Sequence, residues 1–140
     1  MEGLLLKRVS NEAVLPEGVN ENPLRQQNGL QFCAGLTIGL PPRSLTIVPT
    51  GWDIRLPDFC YGRLRLLNPS LSLLHPRLED EYFGPLQVAV ENTSDETIYI
   101  LQGQPLFILT VLSFRPINYT VVENFLFPNV PDSTVNDSQV

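Results

Sequence analysis

Between Ser44 and Leu64 the apolar positions come in short alternating bursts. Leu45 and Ile47 alternate with polar neighbours, Pro49 and Gly51 punctuate, Ile54 and Leu56 alternate again before Pro57, and Tyr61-Gly62-Arg63-Leu64 opens a further run. Period-two alternation broken by Pro and Gly predicts three short strands joined by tight corners. Leu4 to Val9 has strand character, and Pro16 closes the segment after it. Gly29 to Leu40 alternates imperfectly around Gly35 and Gly39, as strands do where they bulge or bend. Leu86 to Asn92 and Thr97 to Ile100 alternate on either side of Thr93-Ser94-Asp95-Glu96 and predict a hairpin. Leu106 to Leu112 is nearly all apolar, which predicts a strand buried on both faces. Residues 17 to 28 are polar, with Gly, Asn and Pro, and read as a connecting loop.

Composition narrows this to an all-β domain. The chain of 140 residues is one domain's length, and 43% hydrophobic residues suffice for a core. Thirteen Pro and nine Gly suit many strands and corners better than a helical bundle. A net charge of -6 argues against nucleic acid or an anionic membrane as partner, because both require clustered cations. Leu4-Leu5-Leu6 is too short for a signal peptide, and no apolar run is long enough for a transmembrane segment, so an intracellular protein is expected. Cys33 and Cys60 have no metal-ligand spacing and are expected to be buried reduced thiols. His75 stands beside Pro76 without a nucleophile at a recognisable spacing and reads as a loop residue. Glu79, Asp80 and Glu81 read as a solvated turn sooner than a cation site, and Trp52 as core or rim packing.

Val48-Pro49-Thr50-Gly51, Leu56-Pro57 and Tyr61-Gly62-Arg63 resemble the central core of the trimeric deoxyuridine triphosphatase (dUTPase) family, and the similarity runs from about residue 4 to residue 124. The resemblance implies a dUTPase-like distorted jelly-roll β-barrel over residues 1–127 and a homotrimer. It also shows where this chain departs. Gln31 stands where the family has a magnesium-side aspartate, Pro69 falls at a glycine of the phosphate-binding segment, and Gln104, Pro105 and Ile108 replace a polar Asp, Arg and Gln set. Leu73 to Gly84 is a shortened uracil-reading hairpin, with Glu79 at the position of the water-activating aspartate and Tyr82 aligned with the platform tyrosine. No glycine follows Gly103, so the glycine-rich arm is missing. The expectation from these losses is a non-catalytic derivative without a cofactor. The alternative is a divergent dUTP nucleotidohydrolase giving dUMP and pyrophosphate, with Glu79 as base, Tyr82 beneath the deoxyribose, and Mg2+ required.

Residues 128–140 are polar and Pro-bearing and read as a flexible tail. Its last residues, Ser138, Gln139 and Val140, meet the requirements of a PDZ ligand: a hydroxyl two positions from the end and a small aliphatic residue bearing the free carboxylate. A degenerate dUTPase core with such a tail is similar to the catalytically inactive early proteins of adenoviruses encoded by the first open reading frame of the fourth early region. That similarity implies binding to host PDZ-domain proteins, stimulation of phosphoinositide 3-kinase signalling, and residence in the host cytoplasm with recruitment to membranes.

Overall fold

The computed structural model describes residues 3–22, 24, 27–114 and 120–124. The proposed tail, including Ser138, Gln139 and Val140, lies outside them. Among the described residues, eleven strands carry the fold: β1 (Leu5–Arg8), β2 (Glu17–Asn22), β3 (Gln27–Cys33), β4 (Ile38–Leu40), β5 (Leu45–Arg55), β6 (Cys60–Leu66), β7 (Leu71–Leu73), β8 (Arg77–Leu78), β9 (Phe83–Asn92), β10 (Ile98–Ile100) and β11 (Pro105–Ser113). They form a four-stranded sheet in the order β1-β5-β9-β7, a five-stranded sheet in the order β2-β3-β11-β6-β8, and a β4-β10 pair. All pairings are antiparallel, so the all-β jelly-roll expectation holds. No helix among the described residues is long and apolar enough to cross a membrane.

The core lies between the two large sheets. Phe32 of β3 and Phe107 of β11 are fully buried and stack with ring centroids 5.6 Å apart. Val48, Ile54, Leu86, Val88 and Val90 meet them from the four-stranded sheet, while Leu40 and Ile100 fill one end from the small pair. Alternation puts these residues on one face of each strand, as the period of two requires. β11 is the exception expected from its composition: Leu106 to Thr110 are consecutively buried in the middle of the five-stranded sheet. Trp52 packs in the core with its Nε1–H donated to the Val14 carbonyl at 2.9 Å. Cys60 is buried and Cys33 only partly so.

Three expectations are corrected. Residues 45–55 form one strand, not two, because Pro49 and Gly51 are absorbed by a bulge: Pro49 pairs with Gln87 and Asp53 with Pro85, so three residues of β5 face Leu86 alone. Gly51 takes φ +86° there, a conformation that disfavours side chains, and a Cβ would stand 2.8 Å from that of Ala13. Residues 17–22 are a strand instead of a loop; an edge strand needs no apolar face, and its backbone pairs with β3. The hairpin expected across 86–100 does not form, since β9 pairs with β5 and β7 whereas β10 pairs with β4.

Asn92 explains that last divergence. Fully buried at the end of β9, it donates from Nδ2 to the carbonyls of Leu40 and Glu96 at 2.9 and 2.7 Å, and its Oδ1 accepts from the Ser94 amide and hydroxyl. The side chain takes the place of backbone partners and turns the chain out of one sheet and into another. Asn92→Ala would leave the Leu40 and Glu96 carbonyls without this donor. It is expected to destabilise the protein by about 2–4 kcal/mol, measured as a lower urea midpoint with an unchanged slope.

Candidate functional site

The run Arg77-Leu78-Glu79 alternates exposed, buried and exposed, so Arg77 of β8 and Glu79 just after it lie on the solvent side while Leu78 enters the core. Opposite them, Gln87 and Ala89 project from β9 and Ile47 from β5. Between these walls lies a cavity of about 310 Å3 whose floor is Leu64, Leu78 and Val88 and whose rim carries His75, Arg77, Glu79, Tyr82 and Gln87. Glu79 and Tyr82, near neighbours in the sequence, both line this cavity. Their backbones are also tied, with the Tyr82 amide donating to the Glu79 carbonyl at 3.2 Å.

Tyr82 is held from several directions. Its hydroxyl donates to the Pro85 carbonyl at 2.8 Å, and its own carbonyl accepts the Leu56 amide. Gly84 has φ +152°, and a Cβ there would lie 3.3 Å from the Tyr82 hydroxyl oxygen, so glycine leaves the phenol room to lie across its own turn. Partial burial, then the negative charges of Glu79 and Asp53, push the Tyr82 phenol above its ordinary value.

The three acidic residues are solvent-exposed, as expected of a turn, but they do not act as a group. Glu79 lines the cavity, Asp80 pairs with Arg77 at 2.5 Å, and Glu81, at φ +56°, accepts the Phe59 amide at 2.9 Å. The Arg77 guanidinium also lies 3.9 Å from the centre of the Tyr61 ring, a cation–π contact that fixes it at the rim. His75, in the loop before β8, lines the same cavity. The two-residue spacing of His75, Arg77 and Glu79 was the available signal for this shared face.

The positions corresponding to the family's phosphate side fare differently. Gln31 lies in β3 between Glu17 and Ile108, and Ile108 is buried. Gln104 uses its Oε1 to accept the Leu101 amide at 3.0 Å. Asn68 accepts the Ser70 amide, and the Ser70 carbonyl accepts from the Thr93 amide and hydroxyl, so the Pro69 turn is closed upon itself. No cluster of three or more His, Cys, Asp or Glu residues able to hold a metal occurs among the described residues. The side chains of the described residues therefore do not make a magnesium site of their own.

No family model matches the chain. It is similar to the deoxyuridine 5'-triphosphate nucleotidohydrolase of Hahella chejuensis, with 24% identity over 132 residues covering 87% of this chain and 84% of the relative. Among solved structures it resembles a mutant dUTPase from Staphylococcus aureus phage phi11, described with a coordinated structural Mg(II) ion, at 17% identity and a TM-score of 0.70 over 89% of this chain and 99% of the other. It also resembles the dUTPase of staphylococcal phage 80alpha with dUPNHPP, at 16% identity and a TM-score of 0.70 over 95% and 94% of the two chains. The chain has a dUTPase-like β-barrel fold. The expectation of a non-catalytic derivative is corrected by these relatives: the matched curated sequence is a nucleotidohydrolase and the similar structures are dUTPases. They say nothing of PDZ binding or of adenoviral early proteins.

The raised Tyr82 ionisation has a testable consequence. A phenol that holds its proton more tightly when folded contributes stability that is complete below the unfolded value near 10, and loses it as the pH climbs to the folded one. Tyr82→Phe should remove the late-titrating phenol from an ultraviolet titration and flatten the alkaline fall in thermal midpoint.

Proposed function

We propose that the chain is a divergent dUTP nucleotidohydrolase giving dUMP and pyrophosphate. The observation that carries this reading is the meeting of Glu79 and Tyr82 at one cavity with an apolar floor. In this mechanism Glu79 takes the proton from the attacking water, and the fixed ring of Tyr82 forms the platform beneath the deoxyribose. The relatives' activity supports the substrate. Gln31, Gln104, Pro105 and Ile108 offer less charge to the developing pyrophosphate than the family's residues, so turnover should fall below the roughly 10 s-1 median of enzymes.

The assay is pyrophosphate release from dUTP with and without Mg2+. Glu79→Gln is expected to lower kcat by about 10²–10⁴-fold while leaving the denaturation midpoint in place, because the side chain is exposed. Wild-type protein that releases no pyrophosphate, or a Glu79→Gln variant as active as the parent, sinks the reading. A homotrimer belongs to the same proposal through the family resemblance, and light scattering at assay concentrations decides it.

A separate proposal concerns Ser138, Gln139 and Val140, and its support is the order of those residues. They would add as a strand to a PDZ domain, with the Val140 side chain in the apolar pocket and the Ser138 hydroxyl on a polar group. Calorimetry of the full chain against PDZ domains should give an affinity of about micromolar, abolished by deleting Val140. Equal binding by the deletion variant would refute it.

A further inference from the structure

Phe59 and Glu81 both hold a left-handed backbone without being glycine, and they face one another. Phe59, in the turn between β5 and β6, has φ +59°, and Glu81, in the turn between β8 and β9, has φ +56°. Side chains disfavour that region, bulky ones most, so such residues persist where their surroundings fix them. Here each turn fixes the other. The Glu81 carboxylate accepts the Phe59 amide at 2.9 Å through Oε2, and the Glu81 amide donates to the Cys60 carbonyl at 2.8 Å. The end of β11 anchors Phe59 in turn: the Phe59 carbonyl accepts the Phe114 amide at 2.7 Å, and the two rings meet edge-on with centroids 6.1 Å apart.

This clasp sits beside the residues that meet at the cavity, since Glu81 lies between Glu79 and Tyr82 in the chain. The Tyr82 amide closes the turn on the Glu79 carbonyl at 3.2 Å, and the Tyr82 carbonyl accepts the Leu56 amide at 2.9 Å. Two main-chain bonds and the Glu81 carboxylate therefore tie residues 79–82 to residues 56–60. Of these, the carboxylate makes the charge-assisted bond, stronger than a neutral counterpart. The Tyr82 ring has a support of its own in the bond from its hydroxyl to the Pro85 carbonyl. The Glu79 side chain is exposed, and its placement follows from the backbone that carries it.

We infer that Glu81 is a positioning residue: by gripping the Phe59 amide, its carboxylate sets where Glu79 stands at the cavity. Its carboxylate is turned to Phe59, and Glu81 is not among the residues that line the cavity. The catalytic consequence rests on the hydrolase reading, while the clasp rests on its own geometry. A base acts in the transition state, so loosening the clasp lowers kcat and spares KM, and a displacement of about 1 Å costs roughly a hundredfold.

Two measurements on the full chain test this. Glycine adopts the left-handed conformation freely, so Glu81→Gly keeps the turn and removes the carboxylate. Its kcat for dUTP should fall about 10- to 100-fold with KM within about threefold of the parent. Glu81→Gln presents an acceptor at the same reach and should recover most of that loss. In the second measurement, amide hydrogen exchange at Leu56, whose N–H rests on the Tyr82 carbonyl, should quicken about tenfold or more in Glu81→Gly. Exchange at Leu109, buried in the middle of β11, should stay as it is. An active parent whose Glu81→Gly variant keeps its kcat, or loses only through KM, overturns the inference and leaves the hydrolase reading intact. Glu81→Gln as poor as Glu81→Gly overturns it too, as does Leu109 quickening with Leu56, which would mean that the whole barrel loosens. Should the parent release no pyrophosphate, the hydrolase reading fails and exchange decides the clasp: faster at Leu56 alone, Glu81 still sets the turn at the cavity; unchanged, it does not.

Discussion

The barrel depends on the bulge in β5, where Thr50, Gly51 and Trp52 face the single residue Leu86. Thr50 is fully buried and donates its hydroxyl to the Leu86 carbonyl at 2.7 Å, satisfying a group that the bulge removes from the ladder. Gly51 turns its carbonyl outward to accept the amides of Val9 and Ser10. Trp52 then reaches the carbonyl of Val14. On the other side Gly35 passes so near that a Cβ would lie 2.8 Å from the Thr50 carbonyl carbon. Extra residues in one strand thus secure the N-terminal segment and admit the β3–β4 connection, and the Val-Pro-Thr-Gly motif is a framework element.

Alternation made the core strands legible because a half-buried strand must show its period to the solvent. Ile54, Leu86, Val88 and Val90 were readable on that ground, and the unbroken apolar stretch of β11 announced a central strand, whereas at the start of β5 the alternating Leu45 and Ile47 are exposed and Val48 is the buried residue. β2 was hidden for the converse reason, since an edge strand held by its backbone carries no such signature. The misassigned hairpin shows another limit. Thr93 to Glu96 do turn the chain, but the partner of β10 is chosen by Asn92, whose acceptors Leu40 and Glu96 are 52 and 4 residues away. Local pattern reports that a chain turns and is silent about where it lands.

Site residues were legible in part. Glu79 and Tyr82 were found through their correspondence to a known core, and the pocket adds His75, Arg77 and Gln87, which that correspondence does not contain. The lost polar positions at Gln31, Gln104, Pro105 and Ile108 were read as loss of the enzyme, an inference at odds with the relatives. Substitution of individual polar residues reveals what a given mechanism lacks. It does not reveal what the remaining groups perform together, because the cavity wall is assembled from β5, β6, β8 and β9.

Glu79, Asp80 and Glu81 also constrain how this segment can vary in length. Neighbouring carboxylates face a cavity, an arginine and a distant backbone amide in turn, and the last needs a left-handed residue to do so. Inserting or deleting one residue would shift these assignments and break the bond from the Tyr82 amide to the Glu79 carbonyl. Natural variation should therefore accumulate before Leu74 or by exchange of side chains, while the interval from Arg77 to Pro85 keeps a fixed count.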